Sequence, residues 1–393
     1  MQLQNLNSIK KEISQLDWNF TNAKTTYFTH DIHPYSAKFI PQIANNLIKI
    51  ISNENDVVLD PFCGSGTTAL ECLLEKRNSV NTDLNPLSKI IGVAKTSKVN
   101  TKIKKELDSI ILEIKNQIDK PTTKPQLYDL FPNIPNMSKW FHQNTITELS
   151  FLRNKIISID TTVGKCIFQT ILSKTVNQVS NQQEETRYAA TEKEIPVNYT
   201  YKLFLRNFKK IWSKIEETNS HMDNHNAHFQ TVDLRVPISK NSLSLIQKNS
   251  IDAVITSPPY PNATDYHLYH RFRLFWLGYD PRDLAKNEIG SHLRHQKEGT
   301  GFIDYMKEME LCMKNIYLAL KHGKYAAFVI GDGIFNKQVF RSAEELSKIG
   351  EKVGFKKIMI QERNIHQTRR SFLKPGRRAK LEKILILQKI DRK

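Results

Sequence analysis

A chain of 393 residues can hold one large α/β domain with insertions, or two domains, since single cores stop growing at roughly 250 to 300 residues. With 39% hydrophobic and 25% charged residues it has the composition of an ordinary globular protein, not a disordered or fibrous one. The 58 lysines and arginines against 40 acidic residues give a net charge of +18, which favours a polyanionic partner through phosphate neutralisation. No apolar run approaches the ~18 residues of a membrane span, and the N-terminal stretch lacks the continuous apolar segment of a signal peptide. The four cysteines, Cys63, Cys72, Cys166 and Cys312, form no CxxC pair. A cytoplasmic protein without disulfides, without a metal site and without a membrane partner is expected.

Residues 1–29 are polar, with Ile9, Ile13, Leu16 and Trp18 as the only anchors, and read as a short helix and a lead-in. In His33-Pro34-Tyr35-Ser36-Ala37-Lys38-Phe39-Ile40-Pro41, the second proline suits the first turn of a helix carrying Ile43, Leu47, Ile48 and Ile51 on one face. Residues 56–60 form a short apolar strand ending in Asp60, then a glycine turn, then a helix. A second strand, residues 79–82, ends in Asp83 one βαβ spacing later, which brings both carboxylates to the C-terminal edge of neighbouring parallel strands, where open α/β sheets bind ligands.

From 98 to 226 the strand rhythm gives way to helical, polar text, with helices expected over 103–118, 140–157, 163–179 and 203–218. This stretch reads as a helical insertion beside the sheet, dividing the chain into 1–97, 98–226 and 227–393. The sheet resumes at 228–233, followed by a connecting helix at 243–248 and the strand Ile251-Asp252-Ala253-Val254-Ile255, which runs straight into Thr256-Ser257-Pro258-Pro259-Tyr260. A helix over 302–320, a strand at 325–330, a helix at 343–353 and two last strands at 357–361 and 384–388 complete an α/β fold. Its sheet is mostly parallel with helices on both faces.

Two stretches carry chemistry. Glycines such as Gly64 and Gly66 let the backbone approach a ligand closely while the N–H groups of the following helix face it. Gly64-Ser65-Gly66-Thr67-Thr68-Ala69 also satisfies the dinucleotide fingerprint GxGxxA, with Asp83 available for a ribose, so a dehydrogenase is a rival reading; no Walker-type GxxxxGK follows. In Ser257-Pro258-Pro259-Tyr260 the two prolines fix φ and keep the local backbone out of a regular ladder. The Ser257 Oγ and the Pro258 carbonyl can then accept hydrogen bonds from one amine, with Tyr260 ready to stack on a planar ring.

The string Asp60-Pro61-Phe62-Cys63-Gly64-Ser65-Gly66-Thr67-Thr68 followed later by Ser257-Pro258-Pro259-Tyr260 resembles the S-adenosylmethionine-dependent DNA amino-methyltransferases. The resemblance covers about 28–96 and 228–390 and implies a Rossmann-like methyltransferase fold, S-adenosylmethionine as cofactor, and a double-stranded DNA substrate whose target base is flipped out of the helix. It further implies a cofactor site from His33, Lys38, Phe39, Asp60, Phe62, Gly64, Gly66, Thr67, Asp83 and Asp233, and catalysis by Ser257, Pro258, Pro259 and Tyr260. A restriction endonuclease or another defence protein would be a natural companion.

For DNA contact, Arg271 and Arg273 interleave with aromatics, and Arg369, Arg370, Lys374, Arg377 and Arg378 surround Pro375-Gly376. The competing reading of the first group is a helix with Phe272, Phe275 and Trp276 on its core face. A cytosine carbon-5 enzyme needs a nucleophilic thiolate after proline, which no cysteine here provides. Serine before Pro-Pro-Tyr is commoner in cytosine-N4 enzymes, so N-4-methylcytosine is the expected product, with N-6-methyladenine as runner-up. An RNA amine methyltransferase is a more distant alternative.

Overall fold

The computed structural model describes residues 6–36, 38–119, 132–183, 189–238, 245–261, 265–291, 293–294, 301–335, 338–365 and 381–390. The first helix, α1 (Leu6–Gln15), buries Ile9 and Ile13, and α2 (Pro41–Ile51) starts at the expected proline. Then follow β1 (Val57–Asp60), α3 (Thr67–Leu74), β2 (Asn78–Asp83) and α4 (Pro86–Thr96). The predicted insertion is helical: α5 (Thr101–Asp119), the single turn α6 (Met137–Trp140), α7 (Gln143–Ile157), α8 (Thr162–Val179) and α9 (Tyr199–Asn219).

The second half of the sheet supplies β3 (Ala227–Thr231) and β4 (Ile251–Thr256), then the short helices α10 (Tyr266–Tyr269), α11 (Arg271–Leu277) and α12 (Pro281–Asn287). Next come α13 (Gly301–Ala319), β5 (Leu320–Gly331), the hairpin β6 (Gly333–Phe335) and β7 (Gln338–Phe340), α14 (Ser342–Val353), β8 (Phe355–Asn364) and β9 (Leu381–Lys389). The expected helix at 243–248 does not form in its described part, because 245–250 is turn and coil. The predicted strand at 325–330 is also the core of a longer one.

Seven strands form one sheet in the order β3-β2-β1-β4-β5-β9-β8. The first five run parallel, and β9 enters antiparallel between β5 and β8. The order reverses between β1 and β4, which leaves a crevice above their carboxyl ends, the usual ligand position in open α/β sheets. Strand order and helices on both faces make this the Rossmann-like methyltransferase arrangement that the sequence predicts. Because β8 and β9 pair antiparallel from Phe355↔Lys389 to Asn364↔Leu381, the end of β8 and the start of β9 meet at one edge, where Glu382 also pairs with Gly331 of β5.

Two apolar layers sandwich the sheet. One includes Leu59, Val254, Phe328 and Leu385 with α13 and α14; the other includes Val58, Ile255, Val329 and Ile384 with α1 and α2. The alternation along each strand follows from the period of two in β structure. The helices α5–α9 share a further cluster around Phe168, Phe204 and Leu149, into which Phe272 and Trp276 of α11 also pack. Among the described residues no helix is long and apolar enough to cross a membrane, and no group of three or more His, Cys, Asp or Glu side chains could hold a metal ion. The four thiols are buried and unpaired.

Candidate active site

The glycine turn after β1 is held to β2 by backbone bonds. Cys63 N–H donates to the Thr82 carbonyl at 2.9 Å, and Gly66 N–H closes the turn on the Cys63 carbonyl at 2.7 Å. Gly64 at φ +48° and Gly66 at φ +72° occupy left-handed backbone, and a Cβ on Gly64 would meet the Tyr35 ring at 3.2 Å. Asp83 ties the turn from below: its carboxylate accepts from Gly64 N–H at 2.8 Å and from Asn85 N–H at 2.8 Å. Burial raises its pKa, and those two backbone donors oppose the rise.

One cavity at this crevice is lined by Lys38, Phe39, Phe62, Gly64, Thr67, Asp83 and Asp233, and also by Ser257 and Pro259. Seven of the expected cofactor residues and two of the four catalytic ones therefore face the same space. The Lys38 ammonium donates to the His30 carbonyl at 2.8 Å. Asp233 is gripped by Arg235 through Nε to Oδ1 at 2.9 Å and Nη2 to Oδ2 at 2.6 Å. Burial pushes the Asp233 carboxyl up, but these bonds carry it below its usual range. Arg235 in turn reaches Glu308 Oε1 at 2.5 Å, and Arg294 holds the same carboxylate at 2.6 Å.

The Ser257 hydroxyl donates to the Val329 carbonyl of β5 at 2.9 Å and also lies within hydrogen-bonding reach of the Tyr260 phenol. The Pro259 carbonyl accepts from Tyr305 at 3.1 Å, and among the described residues no donor reaches the carbonyl of Pro258. Tyr260 stands outside the cavity lining and donates through its phenol to Glu382 Oε1 at 2.8 Å.

Five expected site residues take other places. His33 is 2% exposed and bonds Ser173 of α8 through Nε2 at 2.7 Å, because the chain turns it toward the insertion. Asp60 points beneath the cavity, where Thr256 Oγ1 donates to it at 2.6 Å; burial pushes its carboxyl up to about 6. Gly66 backs onto Gly92 and Phe229, away from the opening. Arg271 lies against the rings of Trp140 and Phe272 at 4.8 and 4.5 Å, and Arg273 is fully buried over Tyr269. Burial in the seam between α11 and the insertion removes both arginines from phosphate contact. Arg369, Arg370, Lys374, Arg377 and Arg378 lie outside the described residues.

The cavity also contains residues that no motif announced. Ser65 Oγ and Asn85 Nδ2 are buried on its wall with no hydrogen-bond partner among the described residues. Glu288, just past α12, lines the cavity and accepts from His267 Nδ1 at 2.6 Å. Tyr35 and Tyr266 face each other there with ring centroids 5.9 Å apart. Tyr35 sits in the quoted N-terminal segment and could have been noticed; Glu288 had no sequence signal. Two orphaned polar atoms, three carboxylates and several aromatic walls fit a ligand that is at once polar, hydroxylated and ring-bearing.

A family model described as DNA methylase, N6_N4_Mtase, matches residues 2–93. The chain is 26% identical over 388 residues to type II methyltransferase M.MjaII of Methanocaldococcus jannaschii, covering 76% of this chain and 73% of that protein. To M.MvaI of Kocuria varians it is 25% identical over 285 residues, covering 68% and 61% of the two chains. To M.BsoBI of Geobacillus stearothermophilus it is 25% identical over 342 residues, covering 78% and 63%.

Proposed function

We propose that the chain is an S-adenosylmethionine-dependent DNA amino-methyltransferase of restriction-modification type, like the relatives it resembles, and that it transfers a methyl group to the exocyclic N-4 amine of cytosine in double-stranded DNA. The observation that carries the reading is the convergence of Ser257 and Pro259 with Asp83, Asp233 and Phe62 on one cavity. When bound, S-adenosylmethionine supplies an activated methyl group on a sulfonium. Asp83 is assigned to its ribose hydroxyls, Asp233 to its adenine, and Ser65 and Asn85 to its remaining polar atoms. Phe39 and Phe62 provide apolar walls.

On the DNA side, a base extruded from the duplex would offer its amine to Ser257 Oγ and the Pro258 carbonyl, with Tyr260 against the ring. The amine's lone pair is delocalised into the base, and positive charge develops on the nitrogen as it attacks. Acceptors already fixed in place favour that charge without reorganising. The net charge of +18 suits the phosphate backbone, with the basic residues from Arg369 to Arg378 as proposed contacts. A cytoplasmic site of action and a companion restriction endonuclease fit this role.

Nucleoside mass spectrometry of DNA from a host with and without the gene tests the proposal. N-4-methylcytosine is the expected new product. N-6-methyladenine alone would move the target to adenine, and no new methylated base would remove the assignment.

A further inference from the structure

Tyr260 is fixed at both ends. Its preceding carbonyl, that of Pro259, is held by the buried Tyr305, and its phenol donates to Glu382 Oε1 at 2.8 Å. The other oxygen of Glu382 receives Arg363 Nη1, and Arg363 Nε donates to the Trp18 carbonyl at 2.8 Å. Glu382 and Arg363 are 9% and 5% exposed and face each other directly across the β8–β9 ladder. A buried ion pair is weak grounds for stability, because the cost of desolvating both charges offsets their attraction. This pair does something else: it keeps a carboxylate oxygen aimed at one tyrosine of the catalytic tetrapeptide.

Resting on the proposed role of Ser257-Pro258-Pro259-Tyr260, we propose that Glu382 and Arg363 are positioning residues that set the orientation and electron density of the Tyr260 ring for the flipped base. A phenol that donates to a carboxylate is polarised toward phenolate, which makes its ring face more electron-rich. Such a face is attractive to a base whose amine is becoming positive, as in a cation–π contact. The benefit is greatest in the transition state, so the pair acts on turnover more than on binding.

The test uses the 393-residue chain and a DNA duplex carrying the site mapped by methylation sequencing of the expression host. Tyr260→Phe keeps the ring and the Arg363–Glu382 pair and removes the link to Glu382, together with the phenol's contact with Ser257. It should fold with an unchanged melting temperature, bind S-adenosylmethionine within about two-fold of wild type, and lose about ten-fold in kcat with little change in KM for DNA. Glu382→Gln should lose a similar factor, and the double variant should lose no more than the worse single one, since both remove the same interaction. Tyr260→Phe turning over as fast as an active wild type, or losses that multiply in the double variant, would overturn the positioning role alone. A wild-type chain that methylates no DNA would instead overturn the reading of the tetrapeptide on which it rests.

Discussion

Thr256 Oγ1 donates to Asp60 Oδ1 at 2.6 Å, joining the ends of β1 and β4, the two strands that deliver the glycine turn and Ser257. The carboxyl is 1% exposed, and burial pushes it up to about 6, with the Thr256 bond acting in the opposite direction. A pKa raised by folding means that the native state holds this proton more tightly than the unfolded chain does. Its contribution to stability is complete below about pH 4 and is lost as pH rises through about 6. Relative to Asp60→Asn, the wild type should therefore lose on the order of 2–3 kcal/mol between pH 4 and pH 7. Denaturant titrations at four pH values check this; parallel curves for the two proteins would count against it.

Asp83 combines two tasks, bracing the Gly64 turn and facing the cavity. Asp83→Ala should weaken S-adenosylmethionine binding by about 10- to 100-fold, the range for hydrogen bonds to a charged group. Calorimetric titration reads it directly. Tight NAD binding with no S-adenosylmethionine binding would instead favour the dehydrogenase reading of the glycine turn.

Arg235 restrains Asp233 and joins it to Glu308 and Arg294. Arg235→Met should leave the cavity walls in place but free the carboxylate, lowering cofactor affinity about five- to ten-fold. A cofactor analogue lacking the exocyclic amine of adenine should be less affected, if that amine is the group Asp233 reads. Equal losses for both ligands would remove Asp233 from adenine recognition.

A Cβ on Gly92 of α4 would lie 2.1 Å from the Phe229 ring, so the helix reaches β3 only because this residue has no side chain. Gly92→Ala should cost about 1–3 kcal/mol through overpacking. Adding Phe229→Leu should recover part of that loss in a thermal melt. A Gly92→Ala protein as stable as wild type would mean that the ring has room to move.

Arg273 is buried on Tyr269, its Nη1 donating to the Tyr269 carbonyl at 3.2 Å. Arg273→Ala should lower the melting temperature while leaving the salt dependence of DNA binding unchanged. Neutralising Arg369, Arg370, Arg377 and Arg378 together should do the reverse, since each phosphate contact contributes a slope of about −0.9 in log affinity against log salt.

What could be read from the residues depended on whether a local pattern decided the outcome. The glycine turn, Asp83 and Ser257-Pro258-Pro259-Tyr260 were legible because their backbone chemistry is local, and the insertion helices were legible through their 3.6-residue period. Arg271 and Arg273 are ambiguous in the sequence, because an alternation of cations and aromatics looks the same on a nucleic-acid face and in a seam between helices. Only the packing of Trp140 and Phe272 tells them apart. His33 and Asp60 sit in the expected segments, yet which way a side chain turns depends on partners distant in sequence, Ser173 and Thr256. Glu288 and Glu382 had no local signature, since each gains its meaning from an element folded against it.

The antiparallel entry of β9 carries a consequence for the edge of the sheet that bears Ser257. Had the strand run parallel to β5, the connection from β8 would have had to span the sheet; instead Asn364 and Leu381 are paired neighbours at the edge that also bears Ser257. One step further along the same ladder, Arg363 stands opposite Glu382. The carboxylate that reaches the Tyr260 phenol is in this way placed by the register of two paired strands.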